Sequence, residues 1–348
     1  MSRATAGDVY FVSSLGRWGP LLAFLLAAVL IGVPFWADRA LQRTLVELCY
    51  YLALAQMWNL LAGYTGLVSI GQQAFVGLGG YSLFLLCIYG GVPPVPAILL
   101  SGVLVALCAV PTALVVFRLR DAYFAIGTWV VAECYRLGFS QVTALGGGSG
   151  QSLPVAVVKS IGSGRAEREM IIYYCALALA LGSVGGVYWL LRSRYGLALT
   201  AVRDSEPASG GLGVDVRRTR ILVYVLAAFV TGLAGGLISL QKLRISPESA
   251  FSTQDWTAAV IFIVVIGGIG SIEGPILGTL IYFALREMFA DYGTFYMIAL
   301  GLVAVLMMLK APRGVRGLLL ERFDLHLFPV QRHLRLKDGD GDREDPPS

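Results

Sequence analysis

Charge is what this sequence has least of: Asp, Glu, Lys and Arg make up only 14% of its 348 residues. Soluble domains carry about 25%, so composition excludes an ordinary globular enzyme. The net charge of +5 would suit a nucleic-acid binder, but the basic residues lie in short segments between apolar runs, where membrane orientation explains them better. Histidine is scarcer still. His326 and His333 are the whole supply, and two scattered imidazoles do not make a metal site. The five cysteines (Cys49, Cys87, Cys108, Cys134 and Cys175) all fall inside apolar runs without CxxC spacing. They read as small core hydrophobes, not disulfides or metal ligands. The phosphate-loop pattern of glycines ending in Gly-Lys-Ser/Thr is missing, so if ATP drives this protein another subunit binds it. No nucleophile–base arrangement occurs, which sets aside an intramembrane enzyme and leaves no catalytic residue and no metal ligand to name.

What is present is apolar surface, at 57% of residues. Runs of about 17 or more apolar residues recur, each long enough to cross about 30 Å of hydrocarbon. The expectation is an all-α integral membrane protein with about ten spans, near 20–36, 44–62, 74–90, 94–117, 122–141, 171–191, 219–239, 256–270, 275–290 and 293–309. Residues 1–19 are then a cytoplasmic lead-in, 20–310 the membrane domain, and 311–348 a cytoplasmic tail, amphipathic at first and disordered at its Asp-Gly-rich end. The run from Pro20 to Trp36 is longer than a signal-peptide core and lacks a small-x-small cleavage site, so it is expected to stay as the first span. With both termini inside, Arg118, Arg120, Arg192, Arg194, Arg203, Arg217, Arg218, Arg220 and Lys310 all face the cytosol. The outer segments keep fewer basic residues, among them Arg39, Arg43, Arg165, Arg168 and Lys242, as the positive-inside bias requires. The outer segment near 142–170 contains Gly146-Gly-Gly-Ser-Gly150 and reads as a flexible connector.

Two glycine-rich stretches interrupt the apolar pattern. The first runs Gly63-Tyr64-Thr65-Gly66-Leu-Val-Ser69-Ile-Gly71-Gln72-Gln73-Ala-Phe75. Non-helical backbone at membrane depth survives only where protein buries it or water lines it. Two readings stand: an ordinary turn, or a break lining a substrate path, as in transporters with discontinuous helices. The second runs Gly267-Gly268-Ile-Gly270-Ser-Ile-Glu273-Gly274-Pro275 and continues to Gly278. Spacing by four places Gly270, Gly274 and Gly278 on one face for close helix packing. Ala228, Gly232 and Gly236, and Gly182 and Gly186, repeat that spacing. Ionisable groups at membrane depth are few: Glu47, Glu133, Arg136, Arg286 and Glu287. Glu133 and Arg136 can pair across one helical turn; a structural ion pair and a path-lining role are both open for Glu133.

The stretch from Arg192 to Arg220 is flanked by arginines between two long apolar runs, so it is expected to face the cytosol and to pass force to a separate cytosolic partner. Four blocks in order carry a family likeness: Gly63-Tyr-Thr-Gly66-Leu-Val-Ser69-Ile-Gly71, Asp121-Ala-Tyr123-Phe124-Ala-Ile126, Tyr195-Gly-Leu-Ala-Leu-Thr-Ala-Val-Arg203-Asp204, and Gly267-Gly-Ile-Gly270-Ser-Ile-Glu-Gly274-Pro275. Over roughly 44–320 the chain resembles the permeases of branched-chain amino acid ABC importers, specifically the longer of the two permease subunits. The resemblance implies a second homologous permease as heterodimer partner, two cytosolic ATPases that hold ATP and Mg²⁺, and an outer substrate-binding protein, in a bacterial inner membrane with no nucleic acid involved. It also implies that a short helix within 192–218 docks in an ATPase groove, with Arg203, Asp204, Glu206, Ala208, Ser209 and Gly213 as the coupling residues. Pro207, Ser209 in place of an alanine, and Gly210-Gly211 depart from the pattern of that helix. Gly63, Tyr64, Gly66, Ser69, Gly71, Gln72, Gln73 and Glu133 are the candidate path residues. Relatives carrying urea or short amides leave a second substrate class open, and an ion-coupled transporter or channel is the alternative of another kind.

Overall fold

The computed structural model describes residues 8–11, 19–162, 164–289, 295–311, 314–323 and 332–335. Helices dominate. They are α1 Gly19–Trp36, α2 Arg39–Thr65, α3 Gln73–Ile88, α4 Pro94–Val116, α5 Asp121–Gln141, α6 Val155–Lys159, α7 Arg165–Arg192, α8 Arg194–Asp204, α9 Glu206–Gly211, α10 Val216–Lys242, α11 Pro247–Ala250, α12 Ala259–Gly267, α13 Glu273–Met288, α14 Phe295–Lys310 and α15 Gly314–Phe323. A π-helical turn, Gln254–Ala258, leads into α12. Helices stand at each of the expected spans. Among the described residues, five stretches are both long and apolar enough to cross a membrane: Arg39–Thr65, Pro94–Val116, Arg165–Arg192, Val216–Lys242 and Pro247–Gly267. The helix α3 is apolar but shorter.

Three helices organise the rest. With 27, 28 and 27 residues, α2, α7 and α10 are each about 40 Å long. The helix α10 packs on α4, α3 and α2, while α2 packs on α7, α12 and α13. Glycine sets how close these contacts are. Val105 and Ser101 of α4 lie where side chains at Gly232 and Gly236 of α10 would go. The backbone of α12 lies against Gly278 of α13, and that of Gly268, just past α12, against Gly274, in the same way. The spacing argument held there and failed twice elsewhere. Gly270 lies in the turn before α13, so it shares no helix face with Gly274. Nothing lies within 4 Å of a side chain built at Gly182 or Gly186, which face open space.

The connector after α5 is structured where flexibility was expected. Two 3₁₀ turns, Thr143–Leu145 and Gly147–Ser149, lead into a two-residue strand, Gln151–Ser152, antiparallel to Arg244–Ile245. Gly150 takes φ +76°, which brings that strand against Ile245. A second pairing joins Asp8–Phe11 to Arg332–Arg335. Neither pairing was foreseen, because pairings this short leave no period to read. The Asp-Gly-rich end of the tail lies outside the described residues. The cysteine expectation needs one correction: Cys49 and Cys87 are buried, but Cys134 lies on the exposed face of α5.

Candidate functional site

The segment from Arg192 to Arg220 folds as two capped helices. Ser193 opens α8 by accepting the Tyr195 N–H at 3.2 Å. Ser205 opens α9 by accepting the Ala208 N–H at 3.4 Å, and Pro207 sits in the first turn, where its missing N–H costs nothing. The Ser209 hydroxyl turns inward and donates to the Glu206 carbonyl at 2.9 Å. The buried hydroxyl is thereby satisfied within α9 itself. Gly213, at φ +86°, turns the chain where a side chain would be strained rather than crowded. Asp215 then caps α10 by accepting from Arg218 N at 3.0 Å. Arg220 pairs with Glu206 at 3.1 Å and ties α9 to α10. The outcome is a six-residue helix held outward, with Ala208 exposed and Leu212 83% exposed.

Arg203 faces the other way. Its Nε donates to Asp204 at 2.9 Å, and its Nη1 donates to the Gly63 carbonyl at 3.0 Å. Gly63 in turn abuts the second glycine-rich stretch, because a methyl group added to it would come within 2.5 Å of Gly270 N. One turn back on the same face of α2, Asn59 accepts from Gly270 N and donates to the Ser271 carbonyl, both at 2.8 Å. Gln56 donates to the Ile272 carbonyl at 2.9 Å. Both amide residues are 0% exposed, and spacing by three and four residues aligns them with Gly63. Just beyond, Glu273 pairs with Arg316 of α15 at 3.0 Å. Three sequence blocks far apart in the chain, around Gly63, Arg203 and Gly270, thus meet at one joint, with Arg203 on its outer side.

The path candidates divide. Gly63, Tyr64 and Thr65 belong to α2, so the non-helical part of this stretch begins at Gly66. Gly66 takes φ +73° and its N–H returns to Leu61 O, a glycine C-cap. From Ser69 to Gln73 the segment is packed within the chain. The Trp58 indole donates to Ser69 O at 2.8 Å and Ile70 N donates to the Thr128 hydroxyl at 3.1 Å. Gly71 lies against the Thr128 backbone of α5. Gln72 Nε2 donates to Leu54 O at 2.9 Å, and Gln73 bonds with Thr253 and Thr257. Ser69 and Gln72 border a cavity of about 10 Å³, the size of one water, and Gln72 Oε1 has no partner. Gly66 and Val68 are the exposed part of the break. Glu133 is elsewhere: Arg136 Nε donates to it at 2.9 Å, and Arg136 also reaches Glu248 of α11 at 3.4 Å.

Sequence reasoning missed Gln56 and Asn59, although two uncharged amides inside an apolar span were a signal of interior partners. It also missed that Glu47 and Arg286 pair at 2.7 Å, since their separation of 239 residues leaves no local spacing to read. Chemically, the joint makes and breaks no covalent bond. It is a set of backbone groups held by amides and one guanidinium, suited to passing displacement between an exposed helix and two interior turns.

Residues 40–311 match a family described as branched-chain amino acid transport system, permease component. The chain is 28% identical over 341 residues to the high-affinity branched-chain amino acid transport system permease protein LivM of Escherichia coli K12, covering 91% of this chain and 77% of that protein. It is 27% identical over 207 residues to a probable LivM of Methanocaldococcus jannaschii, covering 59% and 58%. To the probable LivH of the same archaeon it is 24% identical over 157 residues, covering 42% and 48%. No solved structure matches the chain.

Proposed function

Because the chain belongs to the permease-component family of branched-chain amino acid transport systems, and is a non-catalytic membrane subunit of an ABC importer, we propose that it forms half of the path for branched-chain amino acids. A second, homologous permease forms the other half; one archaeon has both a LivM and a LivH to which this chain is similar. Of two ATPase subunits, which hold ATP and Mg²⁺, one docks on the exposed α9, and an outer binding protein delivers substrate at the opposite end. On this reading the α8–α9 end and both termini face the cytosol of a bacterial inner membrane.

The observation that carries the coupling role is the hydrogen bond from Arg203 to Gly63 O at 3.0 Å. It ties the segment that presents α9 to the start of the Gly66–Gln72 break, so movement of one displaces the other. Gly66 and Val68 face the path in the resting arrangement, and Ser69, Gln72 and Gln73 join it when the joint opens. Their uncharged hydrogen-bonding groups suit a zwitterion that must not be held too tightly.

The test uses the complete transporter reconstituted in vesicles, with leucine uptake and ATP hydrolysis measured together. Arg203→Glu and Gly213→Leu are expected to reduce uptake at least about tenfold while hydrolysis persists and the assembly stays intact. Normal uptake by both variants ends the coupling assignment. Urea or a short amide, rather than leucine, protecting the binding protein against thermal unfolding moves the substrate assignment to that class.

A further inference from the structure

The end of the bundle opposite α8–α9 holds a cavity of about 450 Å³ between the N-terminal ends of α2 and α7 and the C-terminal end of α10. Five cations line it: Arg39, Arg43, Arg165, Arg168 and Lys242. One carboxylate, Glu169, collects three of them, with Arg43 at 2.9 Å, Arg165 at 3.3 Å and Arg39 at 3.9 Å. Among the described residues, the other acid on the wall is Glu47, which pairs with Arg286. Positive charge in the cavity therefore exceeds negative, and like charges this close repel unless an anion joins them. Guanidinium groups match phosphate oxygens in pairs.

Depth and direction identify the anion. Gln42, on the cavity wall, donates to Ala37 O at 3.1 Å and to Pro34 O at 3.4 Å. Those carbonyls flank Phe35 and Trp36, which are 77% and 66% exposed at the end of α1. Exposed aromatic rings at a helix end mark the membrane interface. Along α7 the cavity residues Arg168 and Ile172 continue, at helical spacing, to Cys175 and Leu179. Along α10, Gln241 continues to Leu237 and Leu233. Those deeper residues line a second cavity of about 300 Å³ that is almost wholly apolar. A cationic chamber at the interface thus leads to an apolar groove deeper in the bundle, along the same two helices.

We propose that this pair of cavities holds one anionic phospholipid, its phosphate among the arginines and an acyl chain in the groove between α7 and α10. A free phosphate or an acidic peptide would use the chamber but leave the groove without an occupant of matching chemistry.

The test is independent of transport. The full-length chain, purified with its copurifying subunits, is placed in nanodiscs of phosphatidylcholine with and without phosphatidylglycerol, then released for native mass spectrometry. Wild type is expected to retain phosphatidylglycerol. Arg168→Gln should lower retention about fivefold, the effect of one basic residue near an anionic headgroup, and Arg168→Lys should recover most of it. Ala178→Phe, which fills the groove and leaves the arginines in place, should lower retention as well. Arg217→Gln, at the other end of α10, should not. Equal retention by wild type and Arg168→Gln overturns the proposal, as does retention that inorganic phosphate abolishes while Ala178→Phe has no effect. An Arg168→Gln variant that keeps its lipid but loses activation by the binding protein also overturns it, in favour of protein docking.

Discussion

The two ends of α2 contrast in how they are held. At its C-terminal end, Asn59 and Gln56 grip backbone groups of residues 270–272 and Gly63 lies against Gly270 with no room for a methyl group. At its N-terminal end, Arg39 and Arg43 reach across a cavity to Glu169 of α7 with largely exposed guanidinium groups. The first is a dry joint of neutral hydrogen bonds, costly to leave unmade. The second is a wet arrangement of charges that salt screens. On the coupling role proposed above, the buried amide bonds are the rigid part of the joint, and the partly exposed Arg203 is its link to α8.

Substitutions at the dry joint are expected to have the largest effects. Gly63→Val drives a branched side chain into Gly270, and a drop in thermal unfolding temperature corresponding to at least about 1–3 kcal/mol is expected; an unchanged midpoint ends the claim of close packing. Asn59→Leu keeps the volume but leaves Gly270 N–H and the Ser271 carbonyl unpaired. A cost of about 1–3 kcal/mol for each group is expected, together with uptake loss beyond what reduced protein amount explains. Restored uptake in Asn59→Asp but not in Asn59→Leu would sharpen the point, because Asp keeps the acceptor for Gly270 N–H.

The charged end should respond less and differently. Arg43→Gln is expected to cost no more than about 1 kcal/mol at low salt and almost nothing at high salt. Measuring both ends across a salt series tests the contrast directly: an Asn59→Leu cost that shrinks with salt, or an Arg43→Gln cost that does not, would reverse it. The smallest effect is expected at Gly182. With nothing within 4 Å of an added side chain, Gly182→Leu should shift stability of the isolated chain by no more than about 0.5 kcal/mol.

Legibility in the sequence followed the range of the signal. The Glu133–Arg136 pair lies one helical turn apart and was readable, whereas Glu47 and Arg286 meet only because α2 packs on α13. Gly274 and Gly278 were identified as packing residues because helical spacing is local; Gly182 and Gly186 have the same spacing, yet no helix covers them. The α9 helix forms despite Pro207 and Gly210-Gly211: Ser205 caps its start, and Arg220 of α10 holds its Glu206. The break within 63–75 was legible, and its non-helical part is 66–72; glycine at position 63 serves a close contact and not a turn.

By itself, then, the sequence determined that the chain crosses a membrane many times, where its helices lie, and that Arg192–Arg220 stands apart from them, because hydrophobic runs and charge placement act over one helix length. Only the tertiary structure decided that Arg203, Asn59, Gly63 and Gly270 form one joint and that five scattered cations share one cavity. Those relations depend on which helix faces pack together, and a helix period of 3.6 residues defines a face without naming its neighbour.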